Sequence, residues 1–167
     1  MKSSYLWRDS TPLLVGLLLI AGSGCNEELA TWNSTGRSRF ERTVARQIAW
    51  DERDVLDVTT RFGSVTIAGT DRTDCSVVAK IVAQAPTEEE AQSLAERVEI
   101  IGEVVEPAVR IRSREPAVTN NQSIRVSYTI TVPRRMSIRC DSGYGSLDVS
   151  SIEGRLDGKS NNGTIKA

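Results

Sequence analysis

Apolar and polar side chains alternate at period two through most of the chain after Phe40. That is the pattern of strands with one buried face. SIRVSYTITVP, residues 123–133, is the most regular stretch: Ile124, Val126, Tyr128, Ile130 and Val132 alternate with Arg125, Ser127, Thr129 and Thr131, and Pro133 ends the run. VLDVTTRF, residues 55–62, places Leu56 and Val58 on one face; Gly63 interrupts it, and SVTIAGTD resumes with Val65 and Ile67 inward. The spacing predicts a strand, a tight turn and a second strand. CSVVAKIVAQ, residues 75–84, is almost continuously apolar, which predicts a strand covered on both sides.

One segment departs from period two. In PTEEEAQSLAERV, Thr87 and Glu90 have the spacing of a capping box, Glu88, Glu89 and Glu90 sit where the helix dipole favours acids, and Ala91, Leu94, Ala95 and Val98 recur at helical intervals. This predicts one short amphipathic helix, about residues 87–98, packed on a sheet. The three glutamates point in different directions around such a helix, so a solvated helix start accounts for them better than a metal or acid/base site does.

Towards the end the strands shorten. Gly145, Gly154 and Gly163 recur at equal intervals in YGSLDVSSIEGRLDGKSNNGTIKA, each before a Leu- or Ile-centred segment. That rhythm predicts stacked short strands in a β-solenoid or roll, with Gly163 after Asn162 easing a left-handed turn. RFGSVTIAGTD has the cadence of YGSLDVSSIEG, as if one unit were used twice. The pattern stops after NNGTIKA without a polar cap, so the expected fold is mainly β, with either a truncated repeat or a last coil left for another chain to cover. An uncovered strand edge there would also allow self-association.

FGSVTIAGTD, the TEEEAQSLAERV helix, the YTITVP strand and the C-terminal repeats together resemble the bacterial adhesin-like β-strand-repeat domains of unknown function, over residues 40–167. The resemblance implies a non-catalytic domain carried on lipoproteins or membrane proteins, with an undefined protein or glycan partner. Related domains also accompany signalling proteins, which leaves an envelope regulatory or sensory partner as an alternative.

Composition narrows the chemistry. The 167 residues are 39% apolar, enough for one core, and 21 basic against 22 acidic residues leave a formal charge of −1. So balanced a chain has no field to draw nucleic acid. Histidine is absent, which removes the commonest general base and metal ligand. No cofactor or metal is expected. Asp141, Asp148 and Asp157 are the candidates for a polysaccharide-cleaving carboxylate set, with Asp148 and Asp157 at equivalent repeat positions; a solvated ladder on the outer face explains them more simply. Arg37, Arg39, Arg42 and Arg46 cluster near the domain start, where they could meet anionic lipid heads or simply be solvated.

The N-terminus reads as an export leader, residues 1–24: Lys2 and Arg8, an uncharged apolar stretch from Leu13 to Ala21, then Gly22, Ser23, Gly24 and Cys25. Cys25 after small residues resembles the lipidation site of bacterial lipoproteins, although Gly22 stands where an aliphatic residue is usual. Residues 25–39 then read as a polar tether from a membrane anchor, in the outer membrane by the lack of an acid after the cysteine. Cys75 and Cys140 remain: in an oxidising envelope they either pair across a long loop or stay as buried thiols.

Overall fold

A computed structural model describes residues 36–48, 55–105 and 107–167. Cys25, the leader and most of the tether lie outside them. In order come β1 (Ser38–Ile48), β2 (Val55–Phe62), β3 (Val65–Thr70), β4 (Cys75–Ala85), α1 (Glu88–Glu96), β5 (Glu99–Val105), β6 (Ala108–Arg114), β7 (Ser123–Pro133), β8 (Ser137–Tyr144), β9 (Leu147–Ser150), β10 (Leu156–Asn162) and β11 (Ile165–Lys166). The protein is mainly β, with one short helix and two mixed sheets. One sheet has the order β1-β4-β7-β3-β9-β11, the other β10-β8-β2-β6-β5.

The alternation in the sequence becomes the wall of a shared core. Leu56, Val58, Val65, Ile67, Val126, Tyr128 and Ile130, the inward positions of β2, β3 and β7, are buried together with Leu147, Ile138 and Ile111 from both sheets. Each aliphatic side chain buried this way contributes about 1.5–3 kcal/mol. β4 differs from its expected burial on both faces. Cys75, Val77, Ala79, Ile81, Ala83 and Ala85 are buried, but Ser76, Val78, Val82 and Gln84 are only partly covered and Lys80 is exposed. Small and β-branched residues on the outer face produced a continuous apolar run that one buried face suffices to explain.

β2 and β3 are not a hairpin. They lie in different sheets, and Gly63 is the corner at which the chain crosses from one to the other. Corners recur at Gly145, between β8 and β9, and at Gly163, between β10 and β11; Gly163 lacks the positive φ of the other two, so the left-handed turn expected there is absent and close approach to the Gly145 carbonyl, at 2.0 Å from its would-be Cβ, is what excludes a side chain. The three strand–corner–strand units stack in parallel: Leu56 opposite Ile138 and Ile138 opposite Leu156 in one sheet, Val65 opposite Leu147 and Leu147 opposite Ile165 in the other. Stacking runs on through the corners, where Gly63 N–H donates to Tyr144 O at 2.9 Å and Gly145 N–H to Asn162 O at 3.1 Å. β6 and β7 also pair in parallel with β2 and β3, one in each sheet, without a glycine corner between them. β1–β4, β4–β7 and β5–β6 pair antiparallel and widen the two sheets.

The helix is the expected one, with its cap formed by Thr87 Oγ1 accepting from Glu90 N–H at 3.2 Å, and with Ala91, Leu94 and Ala95 buried against β1 and β4. Its last turn holds no basic residue. Arg42, on β1, supplies the cation instead, donating to the carbonyls of Ala95 and Glu96 at 3.2 Å, where the negative end of the helix dipole lies.

The corners allow no side chain. A Cβ on Gly145, at φ +155°, would lie 2.0 Å from the Gly63 carbonyl oxygen. Gly145→Ala is therefore expected to destabilise the fold by about 3 kcal/mol or more. Urea unfolding checks this; a loss below about 1 kcal/mol would mean that the corners are not in van der Waals contact.

Candidate functional site

The outer face of the six-stranded sheet ends in a groove of about 870 Å³ between β1, β4, the start of β7 and the segment that follows β6. Antiparallel register lines up Arg39, Gln84 and Ser123 in one row and Glu41, Val82 and Arg125 in the next. Ser123 Oγ donates to Gln84 Oε1 at 3.2 Å, fixing the first row. The end of β2 brings in Arg61 and Phe62, and Val118 lies across the groove, half-exposed. Phe62 has two neighbours at its ring: the Arg61 guanidinium carbon lies 5.3 Å from its centroid, and the Tyr144 ring stacks on it at 5.2 Å with planes 16° apart. Phe62 remains 36% and Tyr144 53% exposed, so the stack has open surface.

The charges here are unequal. Glu41 is occupied by Arg39 and by Lys80, the latter at 2.9 Å, and the Lys80 hydrogen bond holds its carboxyl below the usual carboxylate range. Glu115 accepts from Ser113 Oγ at 2.8 Å. Arg61 and Arg125 make no ion pair among the described residues. The groove therefore offers two guanidinium groups without ion pairs among the described residues, Arg125 and the Arg61 that lies against the Phe62 ring. Sequence patterning missed it because its residues come from β1, β2, β4 and β7; the one signal was an Arg-Phe pair directly before a corner glycine.

The sequence candidates are dispersed. Asp148 and Asp157 do not occupy equivalent positions: Asp148 is on β9 in the six-stranded sheet, Asp157 on β10 in the five-stranded one. The evenly spaced glycines mark alternate corners of a coil, so neighbouring intervals fall on different sheets. Asp157 lies opposite Arg139, Asp141 opposite Lys159, and Asp148 opposite Lys166, all exposed. On the outer face of the five-stranded sheet Glu103, Arg110, Asp57, Arg139 and Asp157 form one row of alternating sign across five strands. Arg110 reaches Asp57 at 3.4 Å and Arg112 reaches Glu103 at 3.0 Å. This is a salt-linked solvent face. Glu88, Glu89 and Glu90 are exposed at the start of α1, and no group of three His, Cys, Asp or Glu able to hold a metal occurs among the described residues. Of the basic cluster, Arg37 donates to Asn120 O at 3.3 Å, Arg46 to Ala45 O at 3.2 Å, and Arg42 to the end of α1.

Solved structures with this arrangement come from bacteria. A "putative cell adhesion protein" from Clostridium sporogenes superposes with TM-score 0.50 at 16% identity, over 74% of this chain and 59% of its own. The fold is shared. A "putative adhesin" from Bacteroides fragilis aligns with TM-score 0.42 at 15% identity, over 75% of this chain and 62% of its own. The chain thus spans about three fifths of these neighbours. No family model matches it, and no curated protein does. The likeness agrees with the adhesin-like resemblance in the sequence. No helix among the described residues is long and apolar enough to cross a membrane.

Cys75 and Cys140 are free, buried, and in different sheets. Burial pushes both thiols up from the ordinary 9.0 to about 12, Asp74 adding to the effect at Cys75 and Asp141 at Cys140. The thiolate is the reactive form. In a Cys25→Ser background at pH 8, both should react with Ellman's reagent about a hundredfold or more slowly in the native chain than in denaturant. Native labelling at the rate of a free thiol would contradict their burial.

Proposed function

We propose that the protein is a non-catalytic module of the bacterial cell envelope, lipid-anchored through Cys25, which presents its β surface to a carboxylated or sulfated glycan. The observation that carries this reading is the groove in which Arg61 and Arg125 stand without ion pairs among the described residues, beside a Phe62 that is 36% exposed. A guanidinium fork matches carboxylate and sulfate geometry, and an aromatic face packs against the apolar face of a sugar ring. Asp141, Asp148 and Asp157 lie on open sheet faces opposite cations, which supports binding over cleavage. The adhesion name of the Clostridium protein supports an envelope location, as does the leader-like sequence of residues 1–24 before Cys25. The three stacked corner units support a finer description of the fold, a short β-solenoid widened by antiparallel strands.

Two measurements test the reading. Titration calorimetry with a polygalacturonate oligosaccharide should give salt-dependent binding, absent with neutral dextran and weakened about tenfold by Arg125→Ala or Arg61→Ala. Equal binding by these variants would remove the groove from the function. Metabolic labelling with a fatty-acid probe should mark the wild-type chain and not Cys25→Ala; label retained in the variant would overturn the anchor.

A further inference from the structure

Outward side chains continue from the groove along β4 and β7. Past Val82 and Arg125 come Lys80, Val78 and Ser76 on β4 and, opposite them, Ser127, Thr129 and Thr131 on β7. On the far side of β7, β3 adds Thr66 opposite Thr129 and Ala68 opposite Thr131. Outward positions recur every second residue at about 3.4 Å per residue, so the track from Arg125 to Thr131 is about 20 Å long. No acidic residue stands at an outward position of β3, β4 or β7, whereas the outer face of the five-stranded sheet alternates in sign. Glu41 on β1 and Asp148 on β9 border the track on either side.

Building on the proposed reading of the groove, we infer that the ligand is an internal stretch of a linear acidic polysaccharide: Arg61 and Arg125 hold one acidic group, and the polymer beyond it lies along β7 on this track. Charge is the first reason. A polymer with a carboxylate or sulfate at each repeat is repelled by carboxylates beneath it. Here it meets Lys80 and hydroxyls, and the acids stand only at the borders, which keeps a polyanion over β4, β7 and β3. Glu41, the acid nearest the groove, is already tied to Arg39 and Lys80.

Hydroxyls are the second reason. Ser127 Oγ accepts from the Ser64 N–H at 3.3 Å, and Ser64 Oγ accepts from Ser146 Oγ at 3.2 Å. The Ser127 hydroxyl proton is left to donate to an anion in the row of Lys80. Thr129 and Thr66 follow one row further on, both exposed. Shape is the third. Beyond Lys80 every outward side chain of β4 and β7 is short, so sugar rings can lie close against the sheet. A ligand that ended inside the groove would use none of this surface.

Titration calorimetry on the full chain in a Cys25→Ser background, with a galacturonate trimer and a galacturonate dodecamer, tests the inference. The dodecamer should bind about a hundredfold more tightly than the trimer, about tenfold beyond the statistical gain of its overlapping registers. Thr129→Glu should weaken the dodecamer about tenfold and leave the trimer within about twofold, because position 129 lies about 13 Å along β7 from Arg125, beyond the Debye length of about 8 Å. Thr129→Lys should strengthen the dodecamer. Gln92→Glu, an equal change of net charge on α1, should alter neither, and unchanged trimer binding shows that each variant is folded. A dodecamer with only the statistical gain, one indifferent to both Thr129 variants, or one weakened as much by Gln92→Glu would overturn the track, while loss of trimer binding in Arg125→Ala would still uphold the groove. Trimer binding untouched by Arg125→Ala, or no binding of either oligomer, would remove groove and track together.

Discussion

One contact spaces the whole structure: the carbonyl of each corner occupies the place where the next corner's Cβ would be. A Cβ on Gly145 would meet Gly63 O at 2.0 Å, one on Gly163 would meet Gly145 O at 2.0 Å, and one on Gly63 would meet Val126 O at 2.1 Å. Closely spaced corners keep the hydrogen-bond ladder unbroken from one sheet to the other. With the ladder unbroken, the inward side chains fall into register, Val65 on Leu147 on Ile165 and Leu56 on Ile138 on Leu156. Any Cβ at these positions would force the units apart, and both rows would lose packing at once. Hydroxyls complete the corner: Thr60, Ser142 and Ser160 stack in one inward row, and Ser142 and Ser160 lie within hydrogen-bond reach of Gly145 O at 3.5 and 3.3 Å.

Three units alone would leave the first unit's far edges bare. Between the first unit and the second, the chain adds β4, α1, β5, β6 and β7, and these extend both sheets away from the stack. β7 is the joint. It pairs parallel with β3 on one side and antiparallel with β4 on the other, and its Val126 carbonyl accepts from Thr60 Oγ1 of the opposite sheet at 3.1 Å. α1 covers the end of the six-stranded sheet that the shorter sheet does not reach, anchored by Leu94 and its neighbours and by Arg42. A cation read from the chain as part of a surface cluster thus has a structural partner, and the sequence separation of 53 residues is what hid it.

The strands were legible because each buries one face, which imposes period two on the residues themselves. The helix was legible for the same reason at its own period, together with a cap that needs only Thr87 and Glu90. What the alternation does not encode is the partner of each strand. Gly63 between two apolar-alternating runs looks the same whether the chain folds back in one sheet or crosses to another, so the tight turn was legible and its crossing between sheets was not. The equal glycine intervals carried a similar ambiguity, one interval being half a coil. Ser151, in the left-handed region at φ 57°, turns the chain after β9 without any residue that announces it. The groove was illegible for a stricter reason: Arg61 and Arg125 line one groove only because β2 and β7, from different sheets, come together at the edge of the shared core.

The outward rows explain why the groove and the outer face of the five-stranded sheet differ in character. Phe62 lies opposite Tyr144, and Tyr144 lies opposite Asn162. The aromatic ladder therefore stops after two units, so Tyr144 finds an amide rather than a third ring on its other side. Stacked repeats ordinarily gain by placing like on like, since each ring covers the last. Ending the ladder forfeits that contact and leaves the Phe62–Tyr144 pair at the mouth of a groove, where open aromatic surface has a use. In the third unit Asn162 takes the ring's place, while Asp157 and Lys159 continue charged rows that already run through Arg139 and Asp141 of the second. Aromatic surface thus concentrates where the first two units meet β7, and charge spreads over the outer face of the five-stranded sheet.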